Sequence, residues 1–332
     1  MHGIKVICSG SINRVTRSSS FCSATSAVLI ALLIGTAVSG CERLEFMREA
    51  SRLGSLSDSN QQDTTTADII ADTDANGRQA ALLSAFFGLD DALPRFANRI
   101  FCDGASGKDG MPVIFSHEIA LEALQAGDFR VVAESGQVGD VTCVTPAPAD
   151  DVGETRTILM IGQFGDIEDQ PASVEVVGNI LSKGGGLNFR GARTPVTGLE
   201  EGPTMVWAEA VPESEWALGS SGTSFGGGGG TGCPVGTQHV IRVTWAGGVM
   251  KPGGDEIDDV EFSSYRLTMT FDDGSEGEVT PMAVGDLGDG DNNHELCLDR
   301  VGTVLRVSFP AGLVTDPRED LNPATAVTVS TG

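Results

Sequence analysis

The chain is poor in positive charge. Its 332 residues hold 21 Lys and Arg against 46 Asp and Glu, a formal net charge of −25. A surface of that sign repels phosphate backbones and anionic lipid headgroups, which excludes nucleic acid as a partner. Aromatic residues are scarce, with one Tyr and three Trp. Trp207, Trp216 and Trp245 read as core or interface residues, not as a carbohydrate platform. Only four His occur. His117-Glu118 begins like the zinc motif H-E-x-x-H, but Leu121 stands where the second His belongs. No C-x-x-C pair, phosphate-binding glycine loop, dinucleotide fingerprint or haem motif is present. G-x-S-x-G does occur, from Gly222 to Gly226, but in a glycine tract with neither the strand before it nor the helix after it that a nucleophile elbow needs. No apolar run reaches the ~20 residues of a membrane span.

The first forty residues have their own order. Lys5, Arg14 and Arg17 come first, with no acid among them, followed by the apolar run from Ala27 and the small residues Ser39 and Gly40. That is the order of a secretory signal. Val38-Ser39-Gly40-Cys41 resembles the lipobox of bacterial lipoproteins, with Val38 where Leu is commonest. The resemblance covers residues 1–41. It implies cleavage before Cys41, a diacylglycerol on the Cys41 thiol and an acylated new amino terminus. Two or three acyl chains hold a protein at a membrane where one is marginal. Glu42, in place of the Asp that retains such proteins at the inner membrane, implies the outer membrane. Loss of the leader removes three cations and no acid, so the mature chain is more negative still.

Cys8 and Cys22 leave with the leader, and Cys41 carries the lipid. Four remain, Cys102, Cys143, Cys233 and Cys297, and an even number in an exported chain reads as two disulfides. Of three pairings, Cys102–Cys143 with Cys233–Cys297 keeps each bridge within one half of the chain. A zinc site built from all four is the rival reading.

Residues 41–76 read as the lipidated Cys and a flexible tether, dominated after Gly54 by Ser, Thr, Asp, Asn and Gln. The dense apolar run at 78–93 predicts a short helix. From there the pattern turns to period two. Strands are expected at 112–116, 129–134, 141–145, 157–163, 173–177 and 204–209. After a Gly-rich segment at 219–236 come strands at 241–245, 265–271 and 279–284, with further alternation at Leu305, Val307 and Phe309 and at Val327 and Val329. Asp272-Asp273-Gly274-Ser275 reads as a hairpin turn. Short strands with turn signals between them predict an all-β protein of antiparallel β-sandwich class, immunoglobulin-like in size, as two domains at 77–218 and 237–332.

The strongest chemical constellation is Asp286, Asp289, Asp291, Asn293 and Glu295. Oxygen side chains at Asp289, Asp291 and Asn293 recur every second residue, with glycines that allow a tight loop, as in a loop that wraps a hard cation such as calcium. It resembles the start of an EF-hand loop, but His294 stands where the turn glycine belongs and Arg300 where the closing Glu belongs. Acidic loops at 251–259 and 316–322 are further candidates. The leading reading is a non-catalytic binding or structural protein, tied to the membrane through its lipid and meeting an envelope protein or glycan. A metal- or carboxylate-dependent hydrolase and an accessory subunit of an envelope complex are the alternatives.

Overall fold

The computed structural model describes Thr73 and residues 77–219, 230–288 and 290–330. The expected lipidation site Cys41, the tether, the glycine tract from 220 to 229 and Asp289 lie outside the described residues. No helix among those residues is long and apolar enough to cross a membrane.

Fifteen strands dominate the described residues. The first half carries β1 (Leu82–Ala85), β2 (Asp109–Phe115), β3 (Phe129–Ala133), β4 (Asp140–Thr145), β5 (Thr157–Gln163), β6 (Pro171–Val176) and β7 (Arg193–Pro195). The second carries β8 (Met205–Ala210), β9 (His239–Trp245), β10 (Arg266–Thr270), β11 (Glu276–Val279), β12 (Ala283–Gly285), β13 (Asn293–Leu298), β14 (Thr303–Phe309) and β15 (Thr325–Thr328). The two short α-helices among the described residues are α1 (Ala97–Ile100) and α2 (Asp259–Phe262). In the first half, sheet β1-β2-β5-β4 accompanies sheet β3-β6-β7; in the second, β12-β13-β9-β8 accompanies β11-β10-β14-β15. Every ladder is antiparallel, and the architecture is the expected β-sandwich.

Period-two patterning builds each core. In β10, Leu267 and Met269 are buried while Arg266 is exposed. They join Trp245, Tyr265, Val307 and Phe309 in the second core. Phe115, Phe129, Val131, Met160, Val174 and Phe189 lie in the first, where the Phe115 and Phe189 rings meet edge to face at 4.9 Å. The Asp272–Ser275 turn forms as its Asp-Gly predicts. Gly274 takes φ 81°, Phe271 N–H donates to the Ser275 carbonyl, and β11 returns beside β10.

Three local expectations change. The helix expected at 78–93 is β1, paired with β2. Pairing lets Leu82, Ala85, Phe86 and Phe87 all bury around an extended segment; a short apolar run without a polar face does not distinguish the two states. The return strand expected at 279–284 is two strands in different sheets, with β11 ending at Val279 and β12 starting at Ala283 on either side of Pro281. A proline cannot donate to a ladder. Strand β8, although it precedes the Gly-rich segment, pairs with β9 of the second half.

The disulfides are Cys102–Cys143 and Cys233–Cys297. The second pins residues 230–236, where the Cys233 carbonyl accepts from Gly219 N–H and Thr231 accepts from the backbone of Asp286. The halves also interlock at Phe86. A Cβ at Gly88 or Gly247 would lie 2.7 or 2.8 Å from its ring, so both positions need glycine.

Candidate functional site

The polar face of β9 and β13 builds the site. Ile241, Val243 and Trp245 point into the second core, so Arg242 and Thr244 point the other way, beneath the first half, where they are 4% and 0% exposed. Arg242 lies across the ladder from Glu295, and its Nη2 donates to Glu295 Oε1 at 2.9 Å and to the Val152 carbonyl at 3.0 Å. Its Nε is 3.6 Å from Glu154 Oε1, which comes from the turn before β5. Gly153, at φ 91°, lies against the guanidinium, and a Cβ there would lie 2.1 Å from Nη1. This glycine is therefore required twice, by its conformation and by the space.

Beside Arg242 the acidic groups gather. Oxygens of Glu154, Asp286 and Asp291 all lie within 4.8 Å of one another. Asp286 hydrogen-bonds to Glu154, and Glu154 Oε2 accepts from Asp151 N–H. Asp286 takes φ 63°, a left-handed conformation that Asp tolerates better than most L residues. Burial, and then the Asp291 charge, push the Glu154 carboxyl well above its ordinary range. Burial also raises Glu295, against the pull of Arg242. Burial alone would lower Arg242, but Glu154 and Glu295 outweigh it and raise it. One guanidinium thus stands among Glu154, Glu295 and Asp286, with Asp291 next to them.

The residues expected to form a calcium loop separate here. Asp286 and Asp291 come together. Asn293 spends its amide on Asp291 Oδ2 at 2.6 Å and accepts from Thr244 Oγ1 at 2.8 Å, and Glu295 faces Arg242. The acidic loop at 251–259 serves the fold: Asp258 caps α2 and pairs with Lys251. So does that at 316–322, where Asp316 accepts from Arg318 and Asp320 N–H. A second acidic group, Asp90, Asp91 and Asp109, also has a structural role, since Asp109 receives the backbone N–H of Asp91 and Phe164. Glu154 is the member that sequence reasoning missed. It lies far from the others in the chain, and no local spacing marks it.

Asp291 also lines a cavity of about 220 Å³, together with Thr157 and Asn292 and mostly apolar side chains that include Phe86, Leu93, Phe96 and Phe101. Its residues come from both halves, as do those of the acidic group.

No protein-family model matches the chain, and no curated protein matches it in sequence.

Proposed function

We propose that the chain is a lipid-anchored protein of the bacterial cell envelope, held at the outer membrane through Cys41. It binds or holds an envelope protein or glycan, and its two halves are clamped by a calcium ion at Glu154, Asp286 and Asp291. The observation that carries the clamp is the convergence of these three carboxylates from the two halves. The donor set is all oxygen, the set a hard divalent cation takes. The charge balance supports it: the carboxylates beside Arg242 outnumber it, and Glu154 is nine-tenths buried or more.

The test is thermal unfolding of the delipidated chain in calcium and in chelator. At one hundred times Kd, binding adds about 2.7 kcal/mol, or roughly 5 °C in midpoint for a chain of this size. Asp291→Asn should remove most of that rise. An unchanged midpoint in the native chain would sink the clamp and leave the acids as structural charge.

The hydrolase reading has one observation of its own. Glu154 and Asp286 are a buried, hydrogen-bonded carboxyl pair, and their neighbour Asp291 lines the apolar cavity, the arrangement of an acid and a base beside a substrate pocket. Turnover of a chromogenic ester or glycoside, lost in Glu154→Gln, would replace the first reading with this one.

A further inference from the structure

The mostly apolar cavity of about 220 Å³ carries two polar side chains, Thr157 of the first half and Asn292 of the second, each 4% exposed. Asn292 clasps the end of β9. Its carbonyl accepts from Trp245 N–H at 2.8 Å, and its Nδ2 donates to the Trp245 carbonyl at 2.6 Å. A carbonyl can only accept, so this second bond fixes which amide atom is the nitrogen. The same Nδ2 reaches Thr157 Oγ1 at 3.5 Å, a long bond. Asn292 Oδ1 is then left without a donor, and the Thr157 hydroxyl proton without an acceptor, among the described residues. Buried polar groups are normally paired. A ligand in the cavity that both residues line would complete them.

The walls set the rest of the ligand. Phe86, Phe96 and Phe101 line the cavity with Leu89 and Leu159. Phe86 is buried and wedged between Gly88 and Gly247, so that wall is in place before any ligand arrives. Phe96 is 49% exposed, so the cavity reaches solvent beside it. An apolar cavity of about 150 Å³ takes up benzene, so this one has room for one ring and a few further atoms. It is smaller than the ~300–1,000 Å³ that larger ligands occupy. Phenylalanine rings favour an aromatic guest, which they meet edge to face or offset. A carboxylate would leave water for apolar walls and meet Asp291 there, so the guest is neutral.

We propose that this cavity binds a monocyclic phenol. The ring lies among the three Phe side chains. The hydroxyl sits between the two halves, donating to Asn292 Oδ1 and accepting from Thr157 Oγ1. A phenol ionises at about pH 10, so at neutral pH it keeps the proton this arrangement needs. The inference does not rest on the calcium clamp, since neither Thr157 nor Asn292 belongs to the acidic group. Nor does it rest on hydrolysis, since phenol has no ester or glycosidic bond to cut.

The experiment is calorimetric titration of the full delipidated chain, in chelator at neutral pH, with phenol, toluene, benzoate and N-acetyltyrosinamide. Saturable phenol binding is expected, with benzoate about tenfold weaker or more. Thr157→Val removes the hydroxyl and keeps the branched shape. It should lower phenol affinity about fivefold and leave that of toluene unchanged. Phe96→Ala, at a half-exposed position, should lower both about fivefold without moving the unfolding midpoint, while Val235→Ala, exposed elsewhere, should lower neither. Absence of phenol binding overturns the proposal. So does benzoate binding as tightly as phenol, Thr157→Val weakening phenol and toluene alike, or Phe96→Ala binding phenol like the native chain. Tighter binding of N-acetyltyrosinamide than of phenol would overturn it in favour of a Tyr side chain from a partner protein.

Discussion

Arg242 and Glu295 face each other across the β9–β13 ladder, and their side chains meet at 2.9 Å with both buried. Alternation along β9 aims Arg242 away from its own core, and the first half covers it there. The pair is thus the polar face of one sheet sealed beneath a neighbouring body. Truncating one member leaves the other charge buried and uncompensated. Arg242→Met should cost about 3–5 kcal/mol in urea unfolding, because Glu154 and Glu295 both lose their counterion. The double variant Arg242→Met with Glu295→Leu should recover part of that loss. A double variant that loses the sum of the two single costs would show that the residues do not act as a pair.

Acid should destabilise the second half through His294. Its ring is 3% exposed, and its Nδ1 is 2.7 Å from Tyr265 OH. Tyr265 OH also accepts from Trp245 Nε1 at 2.9 Å, so the three side chains form one buried chain of hydrogen bonds. Burial pushes the imidazole down from 6.5 to about 3. The folded state therefore holds the neutral ring where the unfolded chain protonates it. This contribution is complete above pH 6.5 and is lost as pH falls toward about 3, at about 1.4 kcal/mol per pH unit. Unfolding free energies measured between these limits should show that slope, and His294→Gln should flatten it by one proton. An equal acid slope in the variant would remove His294 from the account.

The strands were legible because alternation is local. Leu267 and Met269 against Arg266 mark a half-buried strand without knowledge of anything else in the chain. What covers a sheet's polar face is not local. Arg242 and Thr244 read as outward residues, and they are outward from the second core, yet both are buried under the first half. The same limit hides Glu154, whose meaning comes only from Asp286 and Asp291 across that junction. Asp286 and Asp291 were legible from their spacing. The site differs from a contiguous loop because β13 alternates: Asn293 turns to Thr244 and Glu295 to Arg242 once the ladder with β9 forms.

Removing the Cys233–Cys297 bridge should weaken both the fold and the acidic group. The bridge closes a loop of 64 residues, worth roughly 4 kcal/mol in the chain-entropy account. It also fixes the segment whose Thr231 accepts from Asp286 N–H. The paired change Cys233→Ala with Cys297→Ala should lower the unfolding midpoint and reduce the calcium-induced rise. Cys102→Ala with Cys143→Ala should lower the midpoint but keep the rise. An equal loss of the calcium effect in both variants would place the coupling in global stability instead of at Asp286.

Calcium binding should itself depend on pH, through Glu154. Burial and Asp291 raise the Glu154 carboxyl, which favours its protonated form against Asp286. A raised carboxyl contributes stability that is present below its unfolded pKa and lost as pH climbs through its folded pKa. A cation must displace the same proton, so binding releases it and tightens as pH rises, by up to about tenfold per pH unit while one proton is released. The stability gained from calcium should therefore grow as pH rises above the ordinary carboxylate range, where the chain alone loses the Glu154 contribution. Calorimetric titration with calcium across that range, in two buffers of different ionisation heat, measures both affinity and proton release. Glu154→Gln keeps the shape without the titrating proton and should abolish the release. Calcium binding with the same pH slope in that variant would assign the proton to another group and take Glu154 out of the ligand set.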